Sequence, residues 1–192
     1  MALADTDQAP IHRVGGHVAL DFANTVSWRG TARERDHIAS APALLRWARD
    51  AGLIDDDGAA FDGDSDRLVA AAHRLRAAIR DTFEEGAAGN GGAARAELLA
   101  IARDSLGSAR LAGEPAKLSF DTVADAILGG IAWAAIDLLG SDRLGRVKTC
   151  APDDCRWLFL DTSKNGSRRW CDMQACGNRA KVAHHRRQRR GG

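Results

Sequence analysis

All four cysteines of the chain fall between positions 150 and 176, and no other feature restricts its folding as tightly. They read Cys150-Ala-Pro-Asp-Asp-Cys155 and, fifteen residues later, Cys171-Asp-Met-Gln-Ala-Cys176. Two CxxxxC pairs at this separation predict two tight knuckles facing one ion, the arrangement of a single structural Zn²⁺ held by four thiolates. Two disulfides are the alternative. Met1–Pro10 carries two aspartates and no apolar signal-peptide core, which points to the cytoplasm, where structural disulfides are disfavoured. No stretch is expected to reach the apolar length that crosses a bilayer, so no membrane partner is foreseen.

The whole-chain charge of +1 conceals a division. Residues 150–192 hold ten Lys/Arg against four aspartates, and no acid follows Asp172. The cysteine-bearing end is therefore +6 and the preceding part −5. An acidic body with a basic end predicts a polyanionic partner at the C-terminus.

Residues 11–140 read as a mainly α-helical domain. After the break at Gly15-Gly16, Val18, Phe22 and Val26 recur at helical spacing while Val18, Leu20 and Phe22 alternate as in a strand, and the helix is the favoured reading. Asp21, Asn24 and Thr25 then lie beside an apolar face, either satisfying local backbone groups or lining a small-molecule pocket. Ser40 is an expected N-cap, with Leu44, Trp47 and Ala48 on the apolar stripe and a Schellman stop at Gly52-Leu53. Ser65 is the expected cap of the clearest helix, through Leu68, Ala72, Leu75, Ile79 and Phe83; Arg76 and Arg80 are assigned to its solvated side. Another amphipathic helix spans 94–106. A short hairpin is predicted over 110–120, then a long helix over 121–139 whose Gly129-Gly130 suggests close backbone packing. This helix is also a candidate homodimer face. The histidines show no paired-ligand spacing, and no nucleophile–base pair is visible, so an enzyme is not expected.

From residue 144 onward the expected order is knuckle, hairpin, helix, a small α+β treble-clef-like or zinc-ribbon-like finger. Residues 144–149 read as a strand into the first knuckle. Residues 156–160 and 167–170 read as two strands joined through the Asn165-Gly166 turn. So short a unit cannot bury enough surface to fold alone, and the metal must make up the deficit. Arg156, Arg168, Arg169, Arg179 and Lys181 are placed to offset the charge of the thiolate centre or to meet nucleic acid. If zinc alone holds the finger, Cys171→Ser should unfold it and leave the helical domain intact.

Cys176-Gly177-Asn178-Arg179, preceded by Leu158-Phe-Leu-Asp-Thr-Ser163 and Arg168-Arg-Trp-Cys171, resembles the CGNR zinc finger. Leu20-Asp-Phe-Ala-Asn-Thr25 resembles the opening of the ABATE domain that usually precedes that finger. The resemblance implies a stress-linked bacterial transcription regulator with the finger, at 144–192, as its DNA-binding part. On that reading Asn178, Lys181, His184, His185 and Gln188 face the groove of a duplex, and Arg186, Arg187, Arg189 and Arg190 neutralise phosphates. Arg168, Arg169 and Arg179 are further candidate contacts. The helical domain becomes a sensor of a small-molecule effector or a dimerisation unit. Two alternatives remain: an RNA-binding accessory factor stacking bases on Trp157 or Trp170, and, least favoured, chemistry at Asp21, Asn24 and Thr25.

Overall fold

The structure, a computed structural model, describes residues 13–55, 61–85 and 92–182. A six-residue helix at its centre, α1 (Val18–Ala23), buries Ala19, Leu20, Phe22 and Ala23. A two-residue bridge between β1 (Val26–Ser27) and β2 (Arg35–Asp36) closes the loop that follows. Next come α2 (Ala41–Asp50), α3 (Ser65–Glu85) and α4 (Gly92–Leu106). The antiparallel pair β3 (Arg110–Ala112) and β4 (Lys117–Ser119) forms the expected hairpin and leads into α5 (Val123–Gly140). α1 packs on α3, α5 and a strand from the cysteine-rich region, while α4 lies across α3 and α5. Tilted rings of Phe22 and Trp47, 5.1 Å apart, join α1 to α2.

The helix ends follow local chemistry. Ser40 caps α2 by accepting from Ala43 N–H, and Pro42 sits in the first turn, where no N–H is needed. The stop of α2 is a full Schellman pair, Gly52 N–H to Arg49 O at 2.8 Å and Leu53 N–H to Ala48 O at 2.9 Å. The cap of α3 is Asp64, one residue earlier than expected, accepting from Arg67 N–H at 3.0 Å. Thr122 caps α5 through Asp125 N–H.

By length and composition α5 is apolar enough to cross a membrane, contrary to the sequence expectation. Here it is a core helix: Ile127, Leu128, Ile131, Ala132, Ala135 and Leu138 are buried, and Asp125 and Asp137 lie along it. Its glycine pair is used within the chain. A Cβ at Gly129 would sit 2.7 Å from the Phe120 ring and 3.3 Å from Ser105 Cβ; one at Gly130 would sit 3.1 Å from Leu53 Cδ2. A side chain at Gly129 would force the Phe120 ring to shift, and one at Gly130 would press on the end of Leu53.

A single 3₁₀ turn (Leu144–Arg146) links α5 to β5 (Val147–Thr149), which pairs antiparallel with β6 (Leu158–Leu160). The first knuckle is thus the connection of this hairpin. Residues 167–170 form no strand, because side chains take their backbone groups. Arg168 N–H donates to Asp161, Ser167 N–H to Ser163 Oγ, and Lys148 Nζ reaches the carbonyls of Gly166 and Arg168. β6 is buried on both faces. Leu158 and Leu160 join the helical core, whereas Phe159 packs with the four cysteines. That alternation follows from the two-residue period of a strand. It makes one body of two regions that the sequence suggests are separable.

Candidate metal centre and nucleic-acid interface

Cys150 leaves β5, Cys155 closes the first knuckle, and Cys171 precedes a single π-helical turn, Met173–Gly177, that carries Cys176. Asp172 caps that turn by accepting from Ala175 N–H at 2.7 Å. All four thiols are buried. Their sulfurs lie within 4.8 Å of one another, with 3.7 Å between Cys155 and Cys171 and 3.6 Å between Cys171 and Cys176. A disulfide needs about 2.05 Å, so these are not bonded pairs. Tetrahedral zinc, with Zn–S near 2.3 Å, sets its sulfurs about 3.8 Å apart, and the cluster fits that ion.

The protonation chemistry also asks for a cation. Hydrogen bonds from the Cys155 and Cys171 thiols hold Cys150 down to about 4, while the same contacts push Cys155 and Cys171 up. Four thiols so close cannot all ionise unaided; Zn²⁺ allows it. Cys171 N–H donates to Cys150 Sγ at 3.3 Å, and Arg179 Nη2 to Cys176 Sγ at 3.2 Å.

Arg179 therefore has a place inside the finger. Its other nitrogen meets Asp154 at 3.3 Å, so one guanidinium ties the second knuckle to the first. Burial alone would lower its pKa, but the Cys176 hydrogen bond and the Cys176 and Asp154 charges raise it. Arg168 is likewise engaged. It lies 4.6 Å over the Phe159 ring and donates to the carbonyls of Trp170, Cys171 and Val14. Arg169 is exposed, 5.8 Å from the Trp170 ring centre. Asn178 and Lys181 are exposed, Asn178 donating to Gln174 O at 2.9 Å. His184, His185, Arg186, Arg187, Gln188, Arg189 and Arg190 lie outside the described residues.

Asp21, Asn24 and Thr25 are buried, and their polar atoms serve the fold. Asp21 accepts from Gly15 N–H at 2.8 Å, with its pKa raised by burial. Thr25 Oγ donates to Phe22 O and accepts from Arg76. Asn24 reaches into the cysteine-rich region. Its amide donates to Leu158 O and accepts from Leu158 N–H, both at 2.8 Å.

Several joining residues gave no sequence signal. Arg80 is 3% exposed and donates to Arg156 O at 3.0 Å. Arg76 forms a two-pronged pair with Asp36. Neither is the solvated arginine that helical periodicity suggested. Trp157 Nε1 donates to Val26 O, and Leu160 N–H to Gly15 O, each at 2.8 Å. Buried Asp161 accepts from Lys148, Ser163 and Arg168, and Lys148 above all holds its carboxyl well below the usual range. Only Asp161 carried a hint, as part of the Leu158–Ser163 motif.

Two family profiles match this architecture. The ABATE family, described as "Putative stress-induced transcription regulator", covers residues 16–142. The chain belongs to the ABATE family. The CGNR zinc finger matches residues 146–189. No curated protein matches the chain. The ABATE and CGNR segments meet at the 3₁₀ turn, yet the CGNR strand β6 completes the ABATE core. The CGNR arginine is Arg179, whose described contacts are a zinc-ligand sulfur and Asp154.

Proposed function

We propose that this ABATE–CGNR protein is a cytoplasmic transcription regulator that binds double-stranded DNA through its zinc finger. The observation that carries the reading is the surface that zinc binding fixes. Directly after the last ligand, Cys176, the chain turns into a helix exposing Asn178 and Lys181, and no acid follows Asp172. Arg168 and Arg179 stiffen this platform, and the basic tail supplies phosphate contacts. The RNA-stacking alternative is weaker, because Trp157 and Trp170 are both half-buried against the cysteine cluster.

Residues 173–192 contain six Lys/Arg. With about four to six phosphates neutralised, the log–log slope of duplex affinity against salt should be roughly −4 to −5. Truncation after His185, which removes four arginines, should make the slope shallower by about 3.6 and weaken all sequences alike. Changing Asn178 should flatten sequence preference and leave the slope. Fluorescence anisotropy titrations at several salt concentrations check both. Truncation that alters neither affinity nor slope would defeat the reading.

Pairing of two copies would suit a two-fold operator. Gly129-Gly130 is occupied internally, which leaves Trp133, 50% exposed on the outer side of α5, as the better contact. A Trp133→Ser variant should sediment as a monomer where the parent at micromolar concentration is a dimer; a monomeric parent ends the dimer proposal. For an effector, the helical domain offers a cleft of about 390 Å³ between the start of α2 and α3, beside Ser40, Asp66 and His73.

A further inference from the structure

The loop between β1 and β2 is a basic stretch of an acidic body. The first 149 residues carry −5, yet Trp28-Arg-Gly-Thr-Ala-Arg-Glu-Arg35 holds three arginines and one glutamate. That glutamate is engaged: Glu34 accepts from Gly30 N–H at 2.6 Å. The loop is built, with Thr31 Oγ donating to Trp28 O at 2.7 Å and Thr31 O accepting from Glu34 N–H at 3.0 Å. Trp28 holds a positive φ of 51° and carries exposed Arg33 over its ring at 4.6 Å. A guanidinium held over a ring at this distance still has N–H groups for a second acceptor, and phosphate is an acceptor that fits such a fork.

The loop is fastened to the finger. Trp157, two residues after Cys155, donates to Val26 O at the loop's base. Between them Arg156 turns its carbonyl to buried Arg80 and leaves its side chain in solvent. Arg29 and Arg156 both lie close enough for their charges to lower the Arg80 pKa, behind the larger effect of burial. Glu84 lies 4.0 Å from Arg29 and also pairs with Arg80 at 3.5 Å. Beyond the Cys155 knuckle, Asp154 meets Arg179 at the start of the finger helix.

We infer that the β1–β2 loop is a second contact with the nucleic-acid backbone, Arg29 and Arg33 neutralising phosphates beside those met by the finger. This rests on the DNA-binding reading and extends the interface from the finger onto the ABATE domain. The test compares zinc-loaded full-length protein with Arg29→Gln/Arg33→Gln, Arg29→Lys/Arg33→Lys and the chain ending at His185, on one mixed-sequence duplex over a salt series. Loss of two phosphate contacts should make the slope shallower by about 1.8, an affinity change about tenfold smaller between 50 and 200 mM salt. The lysine pair should keep the parent slope. Equal zinc content and melting temperature show that the variants fold. An unchanged slope in the glutamine pair, with the truncation still shallower, overturns the loop assignment and leaves the finger reading standing. A parent that binds no duplex overturns both.

Discussion

Chelating zinc, or replacing Cys171 with Ser, is expected to unfold the finger and to take the cooperative core of the helical domain with it. Structural zinc contributes about 10–16 kcal/mol in isolated fingers at neutral pH. A whole domain of ordinary stability holds only about 5–15 kcal/mol. The sequence alone suggested that the helical part would survive. The shared strand changes that expectation, because Leu158 and Leu160 are 1% and 5% exposed within the helical core. Once the finger opens, α1 loses the strand it packs on, and Arg80 loses the carbonyl that satisfies it. Elemental analysis should give one zinc per chain. Chelation should abolish the single thermal transition and speed hydrogen exchange across α1. Trp47, 3% exposed against Phe22, should shift its fluorescence with the finger. A helical-domain melt indifferent to chelation would show two independent units.

Asn24→Asp should be nearly as damaging without touching a metal ligand. The native amide satisfies both backbone groups of Leu158, and Asn24 and Leu158 are each 1% exposed. Aspartate keeps the acceptor for Leu158 N–H but turns an anionic oxygen toward Leu158 O. Asn24→Ala abandons both groups. Each unsatisfied buried group costs about 1–3 kcal/mol, so either change should cost about 2–5 kcal/mol. In a chain of this size that lowers Tm by about 5–15 °C. Thermal unfolding with zinc held at one per chain measures it, and a shift under about 2 °C would show that the pair is not needed.

The parts legible in the sequence carry their own punctuation. The cysteine spacing, the apolar stripe of α3, the Gly52 stop and the 110–120 hairpin each follow from residues a few positions apart. Long-range choices were hidden. Three-residue strands have too short a period to name their partner: the Asn165-Gly166 turn points 156–160 to 167–170, whereas 158–160 pairs with 147–149. Lys148 and Asp161 organise residues 161–168 from afar, a role that only the fold creates. Arg76 and Arg80 sit on the polar side of an amphipathic pattern. What buries them is Asp36 in one case and a carbonyl 76 residues away in the other. At the candidate site the ligands were visible, whereas the bonds of Arg168 to backbone carbonyls and of Arg179 to Cys176 Sγ and Asp154 were not.

The pairing of Asn24 and Gly15 with β6 has a consequence for solubility. A two-stranded sheet has two open rims, each able to recruit another extended chain. On the outer rim of β6 the Asn24 amide imitates a peptide group opposite Leu158, and Gly15 O takes Leu160 N–H. Residues from the start of the chain thus close a rim formed more than 130 positions later. A finger expressed from residue 144 onward would present that rim bare, flanked by Leu158 and Leu160, and should self-associate through it even when fully loaded with zinc.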